Sequence, residues 1–436
     1  MEINNGYDLI LLVMLLSVSL PNTYVGSILA ILIFLIKILK KIKIPKQVYR
    51  IYFYILILLC IYTFSFFINY SHLQNLIWGL FTFSSFMLFP LIIKYKNSNQ
   101  KFKNTIKRFL MIQIIFYLGE LMYLINKFNS INIFKVSMAA GDFLSGTSIG
   151  NSHQMAITMA FISFYFLEEY FQSKNKKDLV WYIITLILFI LPSMVSAIYI
   201  YILTLISVVM LKYFVNIFIK FKINKKDIKI LLFSVLCILI FGLTQINNVI
   251  YGYNLISKAL SNDPPRKIVG IYNTLFQFSR EKAHIPIIGV GIGNYSSRAA
   301  LIVGGEYLWN QPKWIPPTPS KFTQKYIIPL WNRKLTAIKY EDGIANQPFV
   351  QYQSVYAESG GIGIIIFITI ILKACFIRKN YKVKYLNYLI CVFTMGIFFI
   401  DNWIEYPNFA LCFWLFTTHR IAIDEESDKI ESIVSS

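Results

Sequence analysis

HIPIIGVGIGNYSSR, residues 284–298, lies within the longest polar segment of this sequence, residues 246–359. The rest of the chain is strongly apolar: 56% of its 436 residues are hydrophobic, only 14% are charged, and the mean hydropathy is +0.58. This composition excludes an ordinary soluble domain. Because so little of the chain is water-soluble, we expect chemistry on a polar substrate to take place in segment 246–359.

Apolar runs recur along the chain, and most approach the ~20 residues that a helix needs to cross ~30 Å of hydrocarbon. Such runs must be helical, because a bilayer cannot satisfy the hydrogen bonds of an open backbone. The sequence therefore predicts an all-α polytopic membrane protein with about twelve transmembrane helices and one large extracytoplasmic loop. The predicted spans are 8–20, 23–39, 51–69, 74–93, 109–125, 153–171, 179–193, 195–211, 229–245, 360–377, 385–400 and 404–419.

Linkers rich in lysine and arginine alternate along the chain with linkers that are poor in them. Basic linkers stay in the cytoplasm, so this alternation predicts that both termini are cytoplasmic and that segment 246–359 is extracytoplasmic. The net charge of +21 then reflects topology, and we expect no binding to nucleic acid. The predicted division is transmembrane helices in 1–245, the extracytoplasmic loop 246–359, transmembrane helices in 360–420 and a cytoplasmic tail 421–436.

Cysteine and histidine give no sign of a metal site. All five cysteines lie in apolar runs and none lies in segment 246–359, so neither a disulfide framework nor a cysteine-based metal site is indicated. The histidines are scattered and lack the spacing of metal ligands. We therefore expect no metal ion and no cofactor.

Arginine is scarce in this chain, with eight residues against 34 lysines, and four of the eight lie in segment 246–359. They are Arg266, Arg280, Arg298 and Arg333. The guanidinium group is a permanently charged planar fork suited to phosphate. The segment also has twelve basic residues against five acids before Glu358, which favours an anionic, membrane-borne ligand. Ion pairs within the loop or contacts with lipid headgroups are the structural alternative.

Glycine recurs in the run GVGIGN at 289–294, which superficially resembles a phosphate loop. A dinucleotide fingerprint needs a βαβ unit, and none is predicted. Glycines here more simply permit a tight turn and a close approach to a ligand or a helix. Glu358, at the start of the span at 360–377, either caps a helix N-terminus or serves as a base. Glu120, inside an earlier span, is expected to face a cavity.

Four motifs together resemble the O-antigen polymerase and ligase superfamily of bacterial envelope glycosyltransferases, most closely its Wzy-type repeat-unit polymerases. They are GTSIGN at 146–151, PPRKIVGIYNTL at 264–275, PIIGVGIGNY at 286–295 and AESGGIG at 357–363. Arg280 and Gly291 also fit the R-x10-G pattern of such polymerases, and Lys135 with Gly146 repeats that pattern with lysine. The likeness in hydropathy extends over nearly the whole chain.

The resemblance implies a GT-C-like fold in the inner membrane and a metal-independent glycosyl transfer. A growing glycan would move from undecaprenyl diphosphate to the next lipid-linked repeat unit, with a flippase and a chain-length regulator as partners. Arg266 and Arg280 would stabilise the leaving diphosphate, and Glu358 or His284 would act as base. The implied substrate-binding residues are Arg298, Gly289, Gly291, Gly293, Asn294, Tyr295, Asn151 and Lys135.

Two departures from the family pattern bear on the reaction. The sequence reads NQPF at 346–349, where ligases carry a His-Asn-like pair, and PSMVS at 192–196 lacks the arginine of a Ser-Arg-like pair. The missing histidine favours a polymerase over a ligase. A ligase that passes the glycan to lipid A core remains an alternative, as does a lipid-linked oligosaccharide flippase. A flippase should show inverted repeats and a charged site at the membrane midplane.

Overall fold

The computed structural model describes residues 5–18, 23–39, 46–92, 99–214, 225–259, 261, 264–305, 316–338, 343, 346–376 and 385–418. Within these ranges the regular secondary structure is helical and no strand occurs. In the described part of the chain, four helices are long and apolar enough to cross a membrane: Val48–Ile68, Gln100–Phe128, Asp227–Thr244 and Gln351–Phe376. Shorter apolar helices are Val25–Ile36, Val195–Met210 and Leu386–Ile397. The predicted all-α membrane character is confirmed.

We number the helices in chain order. They are α1 (Asn5–Val18), α2 (Thr23–Leu39), α3 (Lys46–Ile68), α4 (Leu73–Ile92), α5 (Asn99–Phe128), α6 (Ile133–Val136), α7 (Ser152–Ser173), α8 (Lys176–Ile190), α9 (Val195–Phe214), α10 (Lys225–Thr244), α11 (Ile246–Ala259), α12 (Arg266–Tyr272), α13 (Ile285–Ile288), α14 (Arg298–Val303), α15 (Arg333–Thr336), α16 (Gln351–Phe376), α17 (Tyr385–Ile397) and α18 (407–418). Segments of 3-10 helix cover Met138–Phe143, Phe278–Arg280 and Trp403–Glu405, and π-helix covers Asn273–Gln277 and Thr323–Ile327.

Helix α16 begins at Gln351, before the predicted start of the span at 360, because two helical pieces join at Gly360. Gly360 has φ of +69°, in the left-handed region that a side chain makes costly. A Cβ at this position would lie 2.2 Å from the carbonyl carbon of Ile287. The first piece, 351–359, therefore belongs to the polar segment, and the apolar span follows the kink.

A large apolar core runs through the bundle, and a smaller one, around Phe278 and Tyr295, lies at the polar segment. Helix α18 is buried at every position and α7 at nearly every position, as expected of helices at the centre of a bundle. Their aromatic side chains pack with those of neighbouring helices: the rings of Phe86 and Trp414 lie 5.0 Å apart, and those of Phe164 and Tyr201 lie 4.6 Å apart. Around this centre α16 packs on α3, α2 on α4, and α9 on both α10 and α17.

Ion pairs with buried carboxylates mark one end of the bundle, which we call the ion-pair end. Lys103 of α5 contacts Glu169 of α7 at 3.2 Å and Asp178 of α8 at 2.7 Å. Lys174 contacts Asp227 of α10. These contacts tie together the helix termini at this end, because a buried charge is tolerated only when it is paired.

Candidate functional site at the loop end

Segment 285–303 enters the opposite end of the bundle, which we call the loop end. The side-chain amide of Asn69, just after α3, donates to the carbonyl of Gly289 at 3.4 Å. The amide of Asn75, in the first turn of α4, donates to the carbonyl of Gly293 at 3.0 Å. The glycine run therefore lies between helices and is bonded to them directly.

The other edge of the glycine run pairs with the backbone of α16. The N–H of Val290 donates to the carbonyl of Ala357 at 3.0 Å, and the N–H of Gly291 donates to the carbonyl of Glu358 at 2.9 Å. The kink at Gly360 frees these two carbonyls from helical bonding. At this point the polar segment is therefore joined to the bundle by backbone hydrogen bonds.

The Glu358 carboxylate binds the backbone of the glycine run. The side chain is buried, and its oxygens accept hydrogen bonds from the N–H groups of Gly293 (3.0 Å), Tyr295 (3.1 Å) and Ser297 (3.2 Å). Backbone amides that converge on one anion are also how loops elsewhere hold phosphate. Here the anion is the protein's own, so Glu358 positions the segment.

A second buried carboxylate, Glu405, holds the start of α14. It accepts hydrogen bonds from the N–H groups of Arg298 (2.9 Å) and Ala299 (3.1 Å), and from the hydroxyl of Thr82 (2.8 Å). Burial raises the pKa of Glu405, and the bonds from these donors oppose part of the rise. Two acids from distant parts of the chain therefore fix the middle of segment 285–303, Glu358 through residues 293–297 and Glu405 through residues 298 and 299.

The predicted substrate-binding residues of the run are themselves buried. Asn294 donates to the carbonyls of Val290 and Gly291 (3.2 and 3.3 Å), and its side-chain oxygen accepts from Asn75. The hydroxyl of Tyr295 bonds to Thr274 at 2.9 Å. In this arrangement both side chains stabilise the loop from within.

Close packing explains the glycines, and a matched pair of variants tests this. Gly291 has φ of +91°, and a Cβ there would lie 2.5 Å from the Cα of Phe66; Gly150 has φ of +78°, with open space around its Cβ position. Gly150→Ala should cost about 1–2 kcal/mol through backbone strain alone. Gly291→Ala should cost about 1–3 kcal/mol more, because α3 must move. Thermal unfolding in detergent measures both, and equal shifts would contradict this packing argument.

Arg298 lies at the centre of a polar cluster. Its guanidinium carbon is 4.5 Å from the ring centroid of Tyr406, and its Nη1 donates to the carbonyl of Glu405 at 3.5 Å. The hydroxyl of Tyr406 in turn donates to Oδ2 of Asp401 at 3.3 Å. The arginine is 4% exposed, so its charge acts within the protein and is little screened by water.

Lys267 of α12 approaches the same carboxylate. Its Nζ donates to the carbonyls of Ile400 and Phe349. Burial lowers the pKa of Lys267 to about 8, although Asp401 opposes this shift. Burial likewise raises the pKa of Asp401, and both Lys267 and Arg298 oppose that rise. The charges of two cations from separate elements therefore act on one acid, and we call Lys267, Arg298, Asp401 and Tyr406 the loop-end cluster.

No local feature marks Lys267, one of 34 lysines, whereas the scarcity of arginine singles out its neighbour Arg266. Arg266 Nη1 donates to the carbonyl of Leu330 at 3.1 Å. Arg280 is exposed at the end of a 3-10 segment, and no hydrogen bond or ion pair joins it to the described part of the chain. The structure thus gathers Lys267 and Arg298, whereas Arg280 lies at the surface.

The base candidate His284 and the residues predicted outside the segment have other surroundings. Nε2 of His284 is 3.2 Å from the side-chain oxygen of Asn69. Glu120, expected to face a cavity, accepts hydrogen bonds from the N–H groups of Ser145 and Gly146, both at 2.9 Å. Asn151 is the N-cap residue of α7, and Lys135 is exposed on α6. Arg333 is exposed on α15.

No family model matches the sequence, and neither does any curated protein or solved structure. The fold itself defines the class: an all-α protein with helices that can cross a membrane and a polar segment built into one end of the bundle. Among the described residues, no group of three His, Cys, Asp or Glu side chains is placed to hold a metal ion.

Proposed function

We propose that this protein is a membrane glycosyltransferase that polymerises undecaprenyl-diphosphate-linked oligosaccharide repeat units at the outer face of the inner membrane. The observation that supports this most is the loop-end cluster, in which the charges of Lys267 and Arg298 act on Asp401 and Arg298 lies over the ring of Tyr406. The cluster lies at the end of an apolar bundle, where a lipid-linked diphosphate would present its headgroup. Preorganised cations lower the barrier when charge develops on a leaving group.

The distribution of lysine supports the orientation that this function requires. The ion-pair end carries the starts of α5, α8 and α10, and each start is rich in lysine. The positive-inside rule places such ends in the cytoplasm, and the loop end then faces outward. A topology of twelve spans with both termini in the cytoplasm is part of this proposal.

The chemistry would be a displacement at the anomeric carbon of the donor. The acceptor hydroxyl forms the new glycosidic bond, and the bond to the diphosphate breaks with undecaprenyl diphosphate as leaving group. Lys267 and Arg298 would stabilise the charge on that diphosphate. Asp401, whose pKa is raised by burial, would take the proton of the hydroxyl. Arg280 is exposed and could contact the incoming headgroup. Glu358 and Glu405 would hold the backbone on either side of Arg298 in place.

A deletion strain tests this function directly. Loss of the protein should leave surface glycan as single repeat units, without the ladder of longer chains on a lipopolysaccharide gel. Complete loss of O-antigen would instead indicate the ligase or the flippase alternative. With purified protein and lipid-linked repeat units, a polymerase should release undecaprenyl diphosphate as products lengthen, whereas a flippase should release none.

A further inference from the structure

An apolar groove runs between α8 and α10, away from the loop-end cluster. It encloses about 560 Å³, and its walls are almost entirely aliphatic and aromatic. The wall residues include Leu186 and Ile190 of α8, and Phe233, Cys237 and Phe241 of α10. In a bilayer, such a groove is filled by hydrocarbon, because its few polar groups offer too few partners to hold water.

The length of the groove matches a single lipid leaflet. Its α10 wall extends from Lys229 to Phe241, which at 1.5 Å per residue is ~18 Å. One leaflet contributes half of the ~30 Å hydrocarbon thickness, or ~15 Å. The groove therefore accommodates one acyl chain from one leaflet and is short for a long polyprenyl chain.

Lysines give the mouth of this groove a positive charge. Lys229 lines the groove at the ion-pair end, and Lys176 and Lys177 are exposed at the start of α8. The two acids in these helix starts do not offset that charge. Asp178 is paired with Lys103, and Asp227 is paired with Lys174.

We propose that this groove is a binding site for an anionic glycerophospholipid of the leaflet at the ion-pair end. One acyl chain occupies the space between α8 and α10, and the phosphate lies against Lys229. Charge complementarity selects the headgroup, because each lysine near an anionic lipid surface adds to binding. The site depends only on the membrane setting and is independent of the glycosyltransferase proposal.

Native mass spectrometry of the full chain in detergent can test the site with two lipids, phosphatidylglycerol and phosphatidylcholine, that carry identical acyl chains. The wild type should retain phosphatidylglycerol preferentially. Lys229→Gln should reduce that preference by about fivefold, as expected for one lysine near the headgroup. Lys258→Gln, on the exposed part of α11, should leave it unchanged.

Filling the groove provides the second arm of the test. Cys237→Phe should abolish retention of both lipids, whereas Leu236→Phe should not, because Leu236 is 52% exposed and lies outside the groove. Thermal unfolding of each variant without added lipid shows whether it is folded. If Cys237→Phe is folded and still retains lipid, the site is refuted. Preferential retention of undecaprenyl diphosphate, unaffected by Lys229→Gln, would also overturn it.

Discussion

Glu358→Ala is expected to destabilise the protein by at least about 3 kcal/mol, because three buried N–H groups lose their acceptor at ~1–3 kcal/mol each. The donors are the amides of Gly293, Tyr295 and Ser297. Without the carboxylate, segment 285–303 should leave the bundle and become accessible to protease. Trypsin should then cut at Arg298, which is buried in the wild type, and thermal unfolding should occur at a lower temperature.

Matched substitutions separate this positioning role from a role as base. Glu358→Gln keeps one oxygen acceptor and should fall between the wild type and Glu358→Ala in stability. Glu281→Gln is the control: Glu281 accepts from Lys325 and Tyr326 near the surface, and such pairs contribute ~1 kcal/mol or less. If Glu358→Ala unfolds at the wild-type temperature and resists trypsin, the positioning role is wrong.

Lys267→Met is expected to abolish the glycan ladder while Lys267→Arg retains part of it. The reason is charge: methionine fills similar space, but it cannot stabilise a diphosphate leaving group. Since Lys267 also bonds to the carbonyls of Ile400 and Phe349, membrane levels and thermal unfolding must be measured alongside the ladder. Lys334→Met, at an exposed site on α15, is the control and should leave the ladder unchanged.

The pH dependence of polymerisation tests the same residue in a second way. The pKa of Lys267 is lowered to about 8, so its charge, and with it the rate, should fall as pH rises through 8. Lys267→Arg should remove this fall, because arginine stays protonated. Stability should move in the opposite direction. Between pH 8 and the unfolded pKa of ~10.4 the unfolded chain binds more protons, so the contribution of this group to stability rises with pH. An unchanged rate profile in Lys267→Arg would contradict the proposed role.

Hydropathy predicted the helices well where a helix is determined by the length of its own apolar run. The predicted spans 51–69 and 74–93 correspond to α3 and α4, since apolar length is read directly from the sequence. The start of α16 was misplaced, because residues 351–359 are too polar to be recognised as part of an apolar span. Their helix is stabilised by contacts with segment 285–303, which hydropathy does not report.

The candidate site was predictable only in outline. The glycine run correctly indicated a close approach of the backbone, since Gly289, Gly291 and Gly293 all have positive φ. The groups that they approach are Glu358, Phe66 and Asn75, all far away along the chain, and no spacing rule connects them to the glycines. Lys267 carried no signal at all, because its pKa and its neighbours arise from the packing of α12 against the end of α17.

By itself, the sequence determined that this is an all-α chain with membrane-spanning character, because apolar run length depends only on neighbouring residues. It also located the polar segment in which the site lies. Only the tertiary structure decided which charged side chains bind the backbone there and which form the loop-end cluster. Glu358 and Glu405 bind backbone amides, and the charges of Lys267 and Arg298 act on Asp401, because residues so far apart in sequence are brought together only by the packing of whole helices.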